Sequence, residues 1–192
     1  LNKNLILDSA VTGLTTIFDY LSPEKQKKAV VVVKDRFTKS VKSCILTRST
    51  TKEKDRANAA ELCYSLTIVL LLARGNENAS ENFTQDLFVS FVNLIQWRVD
   101  PKTSIGSTNG KAWDAAVSNC LLILSMMLWR PEEILAKSGL DLAALADTTL
   151  MLARPGKAPR KAIDFKSALE KLVEAPEGSA SVAADRVLHR LF

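Results

Sequence analysis

Residues 23–48 read PEKQKKAVVVVKDRFTKSVKSCILTR, and whether they wind into a helix or extend into a strand decides what the chain builds. The AVVVV run at 29–33 is β-branched enough to be a buried strand. Its period argues otherwise. Val30, Val33, Phe37, Val41 and Cys44 recur at intervals of three and four, which places them on one side of a helix. At about 100° per residue Lys25, Lys28, Arg36 and Lys39 gather on another side, whereas a strand would scatter them over both faces. Ser22 reads as the N-cap, Pro23 as the first helical position where its missing donor costs nothing, and Glu24 suits the positive helix end.

The same periodicity extends in both directions. Leu7, Val11, Leu14, Phe18 and Leu21 predict a preceding helix over about 4–21. Thr50-Thr51-Lys52-Glu53 has the spacing of a capping box and opens a helix to Arg74, closed by Gly75. From Leu62 onward that helix is apolar on nearly every side, which predicts a place at the centre of the domain. Phe83, Leu87, Phe91 and Leu94 mark a helix over about 81–99, ending before Asp100-Pro101. Trp113, Val117, Cys120, Leu124 and Met127 mark another over about 111–130. A polar loop, 102–110, separates these two. Shorter helices are expected near 131–137, 141–153, 164–173 and 179–191, with a basic, Pro-rich connector at 154–161.

Helix starts near 23, 53, 82 and 111 recur about every 29 or 30 residues, as in a chain of helical hairpins. The expected fold is all-α: one domain over 1–192, with a long-helix core at 1–130 and shorter capping helices at 131–192. Its eight or nine helices would pair as antiparallel hairpins, in an α-solenoid or a compact bundle. What the chain shares with HEAT and armadillo proteins is architecture alone, since no residue-level repeat aligns.

With 192 residues, 47% hydrophobic and 24% charged, the composition excludes a disordered segment, a collagen-like chain and a disulfide scaffold. The longest apolar runs, 66–73 and 120–129, fall well short of the ~20 residues a membrane helix needs. Cys44, Cys63 and Cys120 are few and far apart, which suits free buried thiols and an intracellular setting, cytoplasmic or nuclear. The sequons at 78–80 and 82–84 read as helix-start chemistry. The chain opens without Met, so it is expected to be a piece of a longer protein.

Catalytic constellations are missing. His189 is the only histidine, so no zinc site assembles from ligand spacing, and it reads as a helix-end cation. The segment 105–111, IGSTNGK, has too few residues between its glycines for a phosphate-binding loop, and no hydroxyl follows Lys111. Glu132 and Glu133 fit a helix start, and Asp141 and Asp147 fit a cap and a solvated face. The expectation is a non-enzymatic protein with no catalytic residue, metal or cofactor.

Charge carries the remaining signal. Residues 23–56 hold eleven Lys or Arg against four acids, a net +7 in a chain of net +5. An anionic partner is therefore sought on this segment, at Lys25, Lys28, Arg36, Lys39, Lys42, Arg48, Lys52 and Arg56. The first expectation is an interaction or scaffold domain binding an acidic peptide or protein through this face. The alternative is RNA or DNA held by its phosphates, with little base readout because stacking aromatics are missing there. Trp97 and Trp129, each followed by an arginine, are possible aromatic anchors, with core packing as the plainer reading for them and for Trp113.

Overall fold

Val30, Phe37, Val41 and Ile45 are buried along one side of a single helix, α1 (Pro23–Leu46), in a computed structural model describing residues 13, 16–18, 20–46, 53–74, 81–102, 110–154, 156–175 and 178–192. The valine run is helical, as its period requires. The Gln26 N–H donates to the Ser22 carbonyl at 2.9 Å, so Ser22 and Pro23 begin the helix as expected. Of the expected helix over 4–21, residues 13, 16–18 and 20 are helical, Phe18 is buried and Leu21 is a bend after the helix; the others lie outside the described residues. Residues 50–52 of the box, Gly75, the sequon at 78–80 and most of the loop at 102–110 also fall outside them.

Three more long helices follow: α2 (Glu53–Ala73), α3 (Gln85–Val99) and α4 (Gly110–Met127). The helix expected from 81 starts at 85 because Thr84, with extended backbone, is the N-cap, its carbonyl accepting from Leu87 and Phe88. Phe83 precedes the cap, fully buried, and its ring stands 6.4 Å from that of Phe88, a hydrophobic staple that fixes the entry of the chain. The centre belongs to α3 and α4, not to α2 as its composition suggested. α3 buries Leu87, Phe88, Phe91, Val92, Leu94 and Ile95, whereas Leu62, Val69, Leu71 and Leu72 of α2 are only half-buried.

Helices α5 (Glu132–Lys137) and α6 (Leu142–Ala146) are short, and Asp141 caps α6 by accepting from the Ala144 N–H at 2.9 Å. The helix expected to reach 153 stops at Ala146, and the connector at 154–161 is not a simple joint. Strands β1 (Met151–Arg154) and β2 (Lys157–Lys161) form an antiparallel hairpin pairing Met151 with Lys161 and Leu152 with Arg160. Gly156, between the two strands, has φ 71°, a conformation open to glycine at little cost. Pro159 is tolerated because a two-stranded sheet consists of edges only.

Arg160 fastens this hairpin to the end of α3. Its two terminal nitrogens donate to the buried Asp100 carboxylate at 2.9 and 3.0 Å, and the backbone N–H groups of Lys102 and Ile163 donate to the same carboxylate at 2.8 and 3.2 Å. Burial alone would raise the Asp100 pKa. The hydrogen bonds from Arg160, Lys102 and Ile163, with the charge of Arg160, outweigh it and hold the carboxyl below the usual carboxylate range.

The last two helices are α7 (Phe165–Val173), capped by Asp164, and α8 (Ser179–Leu191). α1 packs on α2 and α3, α2 on α4, α3 on α4 and α7, α4 on α8, and α7 on α8. One connected cluster of buried apolar residues runs from Phe18 to Val187. The protein is mostly helical, and among the described residues no helix is long and apolar enough to cross a membrane.

Candidate functional site

The side of α1 opposite its buried stripe is exposed and carries the predicted cations. Lys25, Lys28, Val32, Arg36, Lys39 and Ser43 follow one another at spacings of three and four, so they form one ridge, with Val31 and Lys42 beside it. Lys25, Lys28, Arg36, Lys39 and Lys42 are all exposed, and none pairs with an acid of the described residues. Lys27 does: its Nζ lies 3.3 Å from Glu81. Glu24 and Asp35 are the acids on α1, so the helix itself is strongly cationic.

The placement of Lys25, in the first turn, runs against the helix. α1 has lysines in its first two turns, where the backbone dipole presents positive charge, and no basic residue in its last turn. Glu24 in the first turn suits the dipole, whereas Lys25 beside it opposes it.

Two depressions lie along the ridge. One of about 680 Å³ is bounded by Glu24, Lys27, Lys28, Val31 and Val32. Its surface is mostly hydrocarbon although three of those residues are ionic, because the long stems wall it and the charged ends reach outward. The other, about 650 Å³, is bounded by Val32, Asp35, Arg36, Lys39, Ser40 and Ser43 and reaches Ala59 of α2. The two share Val32.

Of the other predicted contacts, Arg48 and Lys52 lie outside the described residues, as does the side chain of Arg56. Trp97 is no anchor. It is buried to 4% exposure and stands edge-on to Trp113 with ring centroids 4.9 Å apart, as core packing requires. Trp129 is 51% exposed. Its indole N–H donates to the Arg186 carbonyl at 3.1 Å, and the Arg186 guanidinium carbon lies 6.0 Å from the ring centroid, so the ring is held at the surface between α4 and α8. The neighbouring Arg130 donates to the Arg74 carbonyl at 2.8 Å and is spent on the end of α2.

Sequence reading missed Val31 and Val32 as surface residues, and Arg186 as the partner of Trp129. A signal for the valines exists: the buried stripe needs Val30 and Val33, which leaves the two between them facing outward. Arg186 is distant in sequence and gave no such signal.

The remaining polar groups hold structure. His189 lies 3.5 Å from Asp185 one turn earlier on the exposed side of α8. Cys63 and Cys120 are buried, and burial pushes the Cys120 thiol well up. Among the described residues no three His, Cys, Asp or Glu side chains come together to hold a metal. Comparison with protein-family models, curated proteins and solved structures finds no match to this chain.

Proposed function

We propose that this protein is a non-enzymatic helical interaction domain that binds an acidic peptide or protein along the exposed side of α1. The observation that carries this reading is the row of exposed cations Lys25, Lys28, Arg36 and Lys39, none paired with an acid of the described residues, set around two exposed valines and beginning at Lys25, where the helix dipole disfavours positive charge. Solvation alone is served as well by mixed charge, and an exposed valine serves it poorly. The helix contacts also support a solenoid-like arrangement of three hairpins, α1 with α2, α3 with α4 and α7 with α8. α1, α3 and α7 form one row, and α2, α4 and α8 the other. Such stacks act by presenting a surface, and α1 lies at one end of its row. Intracellular residence, cytoplasmic or nuclear, belongs to the same proposal and rests on the free, buried thiol of Cys120.

The test reverses four charges at once: Lys25→Glu, Lys28→Glu, Arg36→Glu and Lys39→Glu. The fold should persist by circular dichroism, because all four side chains are exposed, and proteins that co-purify with the natural chain should be lost. A folded variant that keeps every partner shows the face to be solvation only. RNA or DNA is the second reading, since the same cations would neutralise phosphates. It requires log K to fall with log salt by roughly 0.7 to 0.9 per contact, and a flat response excludes it.

A further inference from the structure

The two depressions beside α1 differ in chemistry, and their order along the helix describes an occupant. The first, over 24–32, is hydrocarbon-walled and bounded by the exposed Val31 and Val32; the second, over 32–43, offers Arg36, Lys39, Ser40 and Ser43. Their middles are about ten residues apart, or about 15 Å at the rise of an α-helix. Lys27 is held by Glu81 beside the first depression, which keeps its stem in place as a wall. The second presents two cations and two hydroxyls against Asp35 as its acid.

From this order, and resting on the reading of α1 as the partner surface, we infer that the ligand is a bipartite acidic segment. An apolar anchor seats between Val31, Val32 and the lysine stems. About 15 Å further along, a cluster of carboxylates meets Arg36 and Lys39, with the Ser40 hydroxyl as an added donor. Apolar burial supplies affinity at one end and opposite charge sets the register at the other. A partner helix satisfies this spacing in either direction along α1.

Three fluorescein-labelled peptides of about twenty residues, each able to form a helix of that span, test the inference by anisotropy at low salt. The first carries two leucines one turn apart and, about ten residues on, four glutamates; the second has serine for leucine, and the third glutamine for glutamate. The first should bind at least about tenfold more tightly than either of the others. The Val31→Ser, Val32→Ser double variant should lose that advantage for the first peptide and leave the second unchanged. Arg36→Glu, Lys39→Glu should weaken the first and second and spare the third. Equal binding of the first and second, indifferent to the valine change, overturns the bipartite site while leaving α1 an acidic-partner surface. If no peptide binds folded protein while a generic RNA binds with the salt slope given above, both the inference and the reading beneath it fail.

Discussion

Replacing Lys25 with glutamate should make the protein more stable while weakening its binding. With Ser22 as N-cap and Pro23 as the first helical residue, position 25 is the third residue of α1. A cation there opposes the helix dipole, and removing it recovers about 0.3–1 kcal/mol. A carboxylate in its place gains a similar amount from the same field and completes a capping box with Ser22 by reaching back to that residue's N–H. The side chain is exposed and makes no ion pair with a described residue, so nothing offsets the gain except screening by salt. The net expectation is about 1 kcal/mol at low ionic strength, or a melting temperature raised by about 2–4 °C in a chain of this size. Thermal melts of Lys25→Glu and Lys25→Gln should rank glutamate above glutamine above lysine, and the differences should shrink as salt approaches about 1 M. Affinity for the acidic peptide should fall in the opposite order. A Lys25→Glu variant less stable than the natural protein would refute the reasoning, because Lys25 would then be part of the structure rather than a charge held for a partner.

Asp100→Asn should cost about 2–4 kcal/mol at neutral pH, since it strips a buried acceptor of its charge while Arg160 and two backbone donors still point at it; denaturant unfolding measures this. Because the Asp100 pKa is lowered on folding, its contribution is complete above the ordinary carboxylate range and is lost as pH falls through the folded value. The asparagine variant should therefore lose part of the natural protein's acid sensitivity. Phe37→Ala should cost about 3–5 kcal/mol, because the ring is fully buried and edge-on to Phe91 at 5.4 Å. Val32→Ser, five residues earlier on the exposed side, should stay within about 0.5 kcal/mol. Cys63 and Cys120 should resist a thiol reagent in the native state and react on unfolding; rapid labelling of both in folded protein would contradict the burial described for them.

Most of the helical layout was legible because its signals are local. The three-four spacing of Val30, Phe37 and Val41 overrode the strand propensity of four valines, and Asp141, Asp164 and Ser22 each start the helix they precede. The hairpin at 151–161 escaped because its evidence is divided. Leu150, Leu152 and Ala162 flank Gly156 at spacings that suit a strand pair, but the partner that fixes it, Asp100, lies sixty residues before Arg160. The centrality of α3 over α2 was illegible for a related reason. Hydrophobic composition says that a helix can be covered on several sides, and only the packing says which helix is. On the candidate surface the cations were legible from charge and period. The exposed valines were hidden inside a run whose other members are core, and the fixed position of Trp129 depends on Arg186, which is remote in sequence.

The central claim is that the cationic, valine-bearing side of α1 is a contact surface. Chemical-shift mapping of backbone amides during titration with the leucine–glutamate peptide tests it most directly. The account predicts that the largest changes cluster over residues 24–43 and reach Ala59, while α7, α8 and the hairpin stay unmoved. Changes centred instead on Trp129 and Arg186, or spread evenly over the surface, would contradict it.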